Sequence, residues 1–110
     1  MKVADLSARP AVTIGPDATI RDAAAEMARC GVGCLVIVDG ERLTGIVTDR
    51  DLVIRGLAMG LAPDARIDSV MSMNVHAIDR HADVRDAIAA FRDHAVRRMP
   101  VVDHDQVTGL

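Results

Sequence analysis

An internal duplication constrains the fold of this chain more than any other feature of its sequence. The triplet Arg-Asp-Ala at residues 21–23 recurs at residues 85–87, 64 positions later. At this offset, residues 3–46 align with residues 67–110 without a gap, and 11 of the 44 aligned positions are identical. Such a repeat predicts two copies of one supersecondary unit, each of which needs the other to bury its apolar face.

Each copy is predicted to begin as a β-α-β-β unit. In the first copy, an extended segment at residues 12–14 precedes an amphipathic helix with the i, i+3, i+4, i+7 apolar period. Apolar strands are expected at residues 34–38 and 43–47, and the hairpin signal Asp39-Gly40 separates them. A helix near residues 49–57 completes the first copy.

The first helix of each copy carries a predicted N-terminal cap. Thr19 and Asp22 have the spacing of a capping box, in which each side chain bonds the backbone N–H of the other residue. Asp83 and Asp86 occupy the matching positions in the second copy, so we expect the same arrangement there.

The second copy stops part-way through its last strand, at Leu110, and lacks the counterpart of the helix near residues 49–57. We therefore expect a first repeat over residues 1–60, a linker over 61–66 and a truncated second repeat over 67–110. An uncovered strand pair exposes apolar surface. Either the natural chain continues past this point, or another chain covers the gap.

Composition excludes several classes of protein. The chain has a net charge of −3, a pI near 5.7 and a single aromatic residue, Phe91. An acidic chain with one ring suits neither the phosphate backbone nor the stacked bases of a nucleic acid. Apolar runs stay well short of a membrane span, and the N-terminus lacks the apolar core of a signal peptide. We expect a cytoplasmic protein with reduced cysteines.

The order and spacing of the repeated segments resemble the CBS domain family. The resemblance is carried by the sequences LVIVD at residues 35–39 and LTGIVTDRDL at 43–52, and in the second copy by VRRMPVVD at 96–103 and VTGL at 107–110. It implies an α+β fold of two β-α-β-β-α repeats that pack sheet to sheet about a pseudo-two-fold axis. Small stand-alone bacterial CBS-pair proteins are similar, and such pairs commonly form homodimers.

The segment Gly-Ile-Val-Thr-Asp-Arg-Asp at residues 45–51 carries the sharpest functional signal. The resemblance implies that Asp51 accepts hydrogen bonds from the two ribose hydroxyls of a nucleotide, while the Thr48 hydroxyl and the helix N-terminus meet its phosphate. A carboxylate is an acceptor that suits a diol, and helix N-termini attract anions. The same Thr-x-x-Asp spacing is also that of an ordinary capping box. The sequence leaves both interpretations open.

Arg97 and Arg98 resemble basic positions that reach nucleotide phosphates in this family. Adjacent residues of a strand point to opposite faces, so at most one of them faces a given cleft. A solvated basic pair at a strand edge is the alternative. The first copy has Gly33 and Cys34 at the matching positions, so the two clefts of the pair are not expected to be equivalent.

The adenine ring is expected against the first strand of a repeat, where it hydrogen-bonds the strand backbone. Because the family's clefts combine residues from both repeats, the sequence does not assign either strand to a particular cleft. A plain core or edge strand is the alternative interpretation. The candidate residues are Val12, Thr13 and Ile14 in the first copy and His76, Ala77 and Ile78 in the second.

The remaining reactive residues form no recognisable catalytic or metal motif. Cys30 and Cys34 lie at the end of a predicted helix and the start of a strand, where small buried side chains are common. The four histidines lack metal-ligand spacing, and no nucleophile elbow, P-loop or complete dinucleotide fingerprint occurs. A metal or redox sensor built on the cysteines and histidines is the weakest interpretation.

The sequence therefore predicts a regulatory module without catalytic activity that binds AMP, ADP, ATP or an adenosyl ligand such as S-adenosylmethionine. It predicts no obligatory cofactor and no metal, and it implies a homodimer that signals to an effector protein the sequence does not identify. A structural dimerisation module with empty clefts is the alternative from another class.

Overall fold

The computed structural model describes residues 2–3, 11–73, 77–94, 100–103 and 106–109. The chain divides into two compact units. The first-repeat unit comprises Val12–Asn74, and the second-repeat unit comprises Met1–Ala11 with Val75–Leu110. These limits describe packing in space, whereas the repeat boundaries at residues 60 and 67 describe the sequence and stay a prediction.

The first-repeat unit has the predicted β-α-β-β-α order. Its final helix begins as an α-helix and continues as a π-helix, which the sequence did not predict. In chain order, the elements are β1 (Thr13–Ile14), α1 (Ile20–Cys30), β2 (Cys34–Asp39), β3 (Arg42–Thr48), α2 (Asp49–Asp51), the π-helical turn Leu52–Leu57 and a short 3₁₀ turn, Ile67–Ser69.

The strands of this unit form a sheet in which β2 is central. Strand β1 runs parallel to β2, with Thr13 opposite Val36, and β3 runs antiparallel to β2, with Cys34 opposite Thr48. The hairpin between β2 and β3 turns at Gly40, whose φ of 64° lies in the left-handed region that glycine tolerates best. This topology brings the starts of β1 and β2 and the end of β3 to one edge of the sheet, called here the site edge.

The core of this unit is aliphatic, as the composition requires. Helix α1 lies with its apolar stripe on one face of the sheet, and the segment that follows α2 closes the cluster from the side. The buried members are Ala23, Met27, Leu35, Ile37, Val47, Leu52, Ile67 and Val70.

Helix α1 begins with the predicted capping box. The Asp22 N–H donates to Thr19 Oγ1 at 3.1 Å, and the Thr19 N–H donates to Asp22 Oδ2 at 3.0 Å. The hydrogen bond from the Thr19 N–H, and after it the Thr19 side chain, lower the pKa of the Asp22 carboxyl. The helix ends at Gly31, which has a φ of 66° and whose N–H donates to the Met27 carbonyl.

We expect Thr19→Ala to lower the free energy of unfolding by about 1 kcal/mol, the usual cost of losing an N-cap side chain. Urea denaturation at pH 7 measures the change. Because the pKa of Asp22 is lowered in the folded state, its contribution is present above the unfolded pKa and is lost as the pH falls through the folded value. Thr19→Ala keeps the backbone N–H that lowers this pKa, so the pH dependence is measured on Asp22→Asn, whose difference from the wild type should shrink as the medium becomes strongly acidic. A difference that stays constant throughout the acid range would contradict this account.

The segment over residues 61–72, which includes the linker, is hydrogen-bonded to the rest of the first-repeat unit at two places. Beside the start of α1, the Ile20 N–H donates to the Ala65 carbonyl at 2.9 Å, and the Ile67 N–H donates to the Ala18 carbonyl at 2.8 Å. Further along, Ser72 pairs with Ile46 of β3 through two hydrogen bonds of 2.9 and 3.0 Å. The segment that leads into the second repeat is thus hydrogen-bonded to strand β3.

The second-repeat unit repeats this pattern within its described residues. Its elements are β4 (Ile78–Asp79), α3 (Val84–His94), β5 (Val101–Asp103) and β6 (Gln106–Gly109). Strand β4 runs parallel to β5, with Ile78 opposite Val101, and β5 runs antiparallel to β6, with Val102 opposite Val107. The alignment of the two copies is confirmed, because α1 and α3 lie 64 residues apart and the pairing of Ile14 with Ile37 recurs as that of Ile78 with Val101.

The start of α3 is capped differently from the prediction. The Asp83 carboxylate accepts the N–H of Arg85 at 2.8 Å, and this hydrogen bond lowers the pKa of Asp83. The N–H of Asp86 donates instead to the Asp83 carbonyl, at 3.0 Å. An aspartate at the N-cap can accept from the second or the third N–H of a helix, and here it takes the second.

Candidate functional site

The site edge brings together the first-copy residues that the sequence singled out. The Val36 N–H of β2 donates to the Val12 carbonyl at 3.0 Å, while Thr48 lies opposite Cys34 on the other side of β2. Thr13 is exposed, whereas Val12 and Ile14 are half-buried. Strands β1 and β3 are two strand spacings apart, about 10 Å. That separation suits a ligand of nucleoside size lying across the edge.

Thr48 and Asp51 form a reciprocal capping box at the point where β3 turns into helix α2. The Asp51 N–H donates to Thr48 Oγ1 at 3.1 Å, and the Thr48 N–H donates to Asp51 Oδ2 at 2.9 Å. The other carboxylate oxygen, Asp51 Oδ1, faces Arg55 Nε at 3.9 Å. Thr48 retains a hydroxyl proton to donate, and each carboxylate oxygen has more than one acceptor position.

The capping interpretation of Thr48 and Asp51 is therefore realised, and it does not exclude ligand binding. The same box at Thr19 and Asp22 lies on an exposed helix start beside the linker. The Asp51 side chain is only 20% exposed and lies at the site edge, where strand ends and a helix start converge. The cap uses Oδ2 and the ion pair with Arg55 uses Oδ1, and each of these oxygens keeps a further acceptor position.

Sequence reasoning missed how fully the start of α2 is hydrogen-bonded within the chain. The Asp49 N–H donates to the Gly33 carbonyl at 2.9 Å, the Arg50 N–H donates to Asp49 Oδ1 at 2.9 Å, and the Asp51 N–H donates to Thr48 Oγ1. These are the donors that a phosphate at a helix N-terminus normally uses. The signal in the sequence was the aspartate directly after Thr48, because a carboxylate there can bond its own helix start.

Asp49 also lies against Gly33, the residue that aligns with Arg97 of the second copy. A Cβ added at Gly33 would lie 2.9 Å from Asp49 Oδ2 and 3.2 Å from its Cγ. The exposed carboxylate of Asp49 thus fills the space in which a side chain at residue 33 would begin. At this edge the first copy presents an acidic group where the second copy has an arginine in its sequence.

The second-copy candidates are described only in part. Ala77 is exposed and Ile78 is half-buried in β4, where its N–H donates to the Pro100 carbonyl at 2.9 Å. The Ile78 N–H is therefore used within the sheet, and the adenine contact with this strand stays a prediction. His76, Arg97 and Arg98 lie outside the described residues, so their predicted roles stay predictions.

Neither cysteine belongs to a metal centre in the part of the chain that the structure describes. Cys34 is buried in β2, and Cys30 is half-buried with its Sγ 3.5 Å from Glu26 Oε1. Among residues 2–3, 11–73, 77–94, 100–103 and 106–109, no three His, Cys, Asp or Glu side chains come together as metal ligands. In the same ranges, no helix has the length and apolar character that a membrane crossing requires.

Comparison with known proteins decides the family. The profile of the CBS domain matches the chain twice, over residues 3–57 and 67–110. The chain belongs to the CBS domain family. It is similar to CBS domain-containing protein YhcV of Bacillus subtilis, with 31% identity over 108 residues that cover 98% of this chain and 77% of YhcV.

Solved CBS-domain structures have the same fold and show which ligands related proteins hold. A CBS domain protein of Pyrobaculum aerophilum complexed with AMP aligns with a TM-score of 0.87 and 26% identity, covering 98% of this chain and 83% of that protein. The CBS domain pair of MJ0100, in complex with 5′-methylthioadenosine and S-adenosyl-L-methionine, aligns with a TM-score of 0.87 and 26% identity over 99% of this chain and 86% of that one. Hypoxic Response Protein I, solved with two coordinated zinc ions, gives a TM-score of 0.87 and 32% identity, covering 99% and 90%.

Proposed function

We propose that this CBS pair is a regulatory module that binds an adenine nucleotide or another adenosyl ligand, with Thr48 and Asp51 as part of its binding site and with no catalytic activity of its own. The observation that carries the proposal is the position of Asp51. Its half-buried carboxylate stands at the end of β3 with Oδ1 outside the capping box, on the same sheet edge as β1.

The chemistry of the site edge matches the parts of a nucleoside. An ionised carboxylate accepts from both hydroxyls of a ribose, and hydrogen bonds to a charged acceptor are about twice as strong as neutral ones. Val12 and Ile14 pack against the core and form an apolar wall at the start of β1. Thr13 is exposed, so the adenine ring has access to this strand. Two related proteins solved with AMP and with S-adenosyl-L-methionine support the same class of ligand.

Regulation follows from linkage between ligand and conformation. A ligand shifts the population of the arrangement that it binds more tightly, and the effector senses that arrangement. The catalytic machinery of an enzyme is not needed for this role. We propose that the effector is a protein, in keeping with the predicted homodimer and cytoplasmic location.

Thermal unfolding with adenosine, AMP, ADP, ATP and S-adenosylmethionine tests the proposed function. A ligand that binds only the folded chain stabilises it by about 2.7 kcal/mol when its concentration is 100-fold above Kd. For a chain of this size, that corresponds to a rise in Tm on the order of 10 °C. Guanosine and GMP serve as matched controls and should leave Tm unchanged. The absence of a shift with every adenosyl ligand at millimolar concentration would refute the proposal.

A structural dimerisation module is the second candidate, and one observation favours it. The π-helical turn after Asp51 exposes Val53, Ile54 and Leu57 by 52%, 51% and 75% of their surfaces. Exposed apolar side chains grouped on one turn are typical of surfaces that pack against another molecule. If no nucleotide changes Tm but Tm rises with protein concentration, this second function is the one supported.

A further inference from the structure

We infer that Asp49 makes the site at Thr48 and Asp51 selective for adenosyl ligands whose 5′ substituent carries no negative charge, such as a thioether or a sulfonium, over nucleotides with 5′ phosphates. The inference rests on the proposed function, since it names the ligand class of that same site. Two features of residues 48–51 support it: the hydrogen bonds at the start of α2 and the position of the Asp49 carboxylate.

The first feature is that the start of α2 offers a phosphate no unused N–H among its first three residues. The donors of Asp49, Arg50 and Asp51 bond Gly33, Asp49 and Thr48, respectively, at 2.9 to 3.1 Å. The following N–H, of Leu52, already bonds the Asp49 carbonyl within the helix. An anion would have to displace intramolecular hydrogen bonds in order to be held here, and no net gain in hydrogen bonds would result.

The second feature is the charge that stands at this place. The Asp49 carboxylate is fixed by its bond to the Arg50 N–H, with Oδ2 packed over Gly33 at the start of β2. The position is exposed and lies on the site edge, directly after Thr48 and beside Gly33. A side chain at residue 33 would have to push this carboxylate aside, so the glycine and the aspartate act together.

Among the described residues, neither Arg50 nor Arg55 forms an ion pair with Asp49. Arg55 Nε lies 3.9 Å from Asp51 Oδ1, and the Arg55 guanidinium also donates to the Val70 carbonyl at 3.4 Å. Arg50 follows Asp49 at the helix start and is exposed to solvent. A 5′ phosphate carries a charge of about −1.5 to −2 at neutral pH and is repelled, whereas a sulfonium is attracted.

Binding affinities of the wild type and Asp49→Asn test the inference by calorimetry. Asparagine keeps the oxygen that accepts the Arg50 N–H but removes the charge. We expect wild-type affinity to fall in the order S-adenosylmethionine, adenosine, AMP, ATP. Asp49→Asn should strengthen AMP binding about tenfold, weaken S-adenosylmethionine binding severalfold and leave adenosine unchanged. Asp64→Asn is the matched control, because this exposed carboxylate lies in the linker beside the start of α1.

Salt dependence gives a second measurement that is independent of folding. Salt screens the repulsion between the Asp49 carboxylate and the phosphate of AMP. The affinity of the wild type for AMP relative to adenosine should therefore rise with ionic strength, and in Asp49→Asn this ratio should no longer depend on ionic strength. Only binding that Asp51→Asn reduces is counted, which separates this site from any site at Arg97 and Arg98. Gly33→Arg, which places a cation beside Asp49, should likewise favour AMP.

The outcomes separate the inference from the function beneath it. If AMP or ATP binds in an Asp51-dependent manner at least as tightly as adenosine, and Asp49→Asn changes nothing, the selectivity is refuted while the adenosyl site stands. If no adenosyl ligand binds the wild type, or if binding ignores Asp51, the proposed function and the inference both fail. An opposite response of AMP and S-adenosylmethionine to Asp49→Asn supports both.

Discussion

Asp51→Asn is expected to weaken the binding of adenosine or its derivatives about 30- to 100-fold while leaving the protein folded. Two hydrogen bonds from ribose hydroxyls to a carboxylate become bonds to a neutral amide, which has one acceptor oxygen where the carboxylate has two. A loss of this size corresponds to about 2–2.7 kcal/mol of binding free energy, within the range for charge-assisted hydrogen bonds. The amide oxygen of the substituted side chain can still accept the N–H of Thr48, so the helix start is preserved.

Asp22→Asn is the matched control for this substitution. Asp22 occupies the same position of an identical capping box in the same unit, so the two variants lose the same charge in the same local geometry. Binding should change only for Asp51→Asn. Isothermal titration measures Kd, and 2′-deoxyadenosine completes a thermodynamic cycle. The penalty for the missing hydroxyl should shrink in Asp51→Asn, and an undiminished penalty would show that the hydroxyl bonds another group.

Gly45→Val is expected to produce the largest loss of stability among single substitutions in the site segment. A Cβ at Gly45 would lie 2.8 Å from Met71 Sδ and 3.1 Å from the Ser72 carbonyl oxygen. The methionine can move, but the carbonyl belongs to the pair that joins Ser72 to Ile46. We expect Gly45→Ala to cost about 1–3 kcal/mol and Gly45→Val to cost more, because overpacking here displaces backbone. Urea denaturation and Tm measure both.

Gly15→Ala serves as the control for Gly45→Ala. Gly15 lies after β1 with no heavy atom within 4 Å of an added Cβ and with no positive φ, so alanine should be neutral or stabilising by up to about 1 kcal/mol. Met71→Ala combined with Gly45→Ala should recover only the part of the loss that the sulfur causes. Equal effects of alanine on stability at residues 15 and 45 would refute the close approach of residues 71 and 72 to Gly45.

The repeat pattern was sufficient for the fold because its signals are local and mutually consistent. Each local signal predicts one element: the apolar runs predict the strands, Asp39-Gly40 the turn and Thr19 the start of the helix. The duplication then predicts the same order of elements a second time. The π-helical turn after Asp51 was not predicted. Its wider backbone depends on how the helix fits against Val70 and Ile20, where the buried Gly56 packs closely. Such fits are properties of packing between distant segments, which periodicity does not encode.

The site was predicted at the level of its residues but not of its charge. Sequence spacing identified Thr48 and Asp51 correctly as a capping pair, with the binding role left as a proposal. The contact between Asp49 and Gly33 depends on the register of β2 against β3, which brings together two residues that are distant in the sequence. From the sequence alone, Gly33 indicated only that the first copy lacks the arginine found at residue 97 of the second. The structure adds that the Asp49 carboxylate lies over Gly33, so the first copy has a negative charge at this place.

The paired hydrogen bonds between Ile46 and Ser72 join the segment that follows the linker to strand β3. Ile46 lies two residues before Thr48 on the same β3 backbone, and a strand is stiff over so short a distance. A ligand that draws the end of β3 toward itself must either break two hydrogen bonds or pull on the chain that enters the second repeat. Within the first-repeat unit, a displacement of the Thr48 end of β3 is thereby transmitted to residue 72.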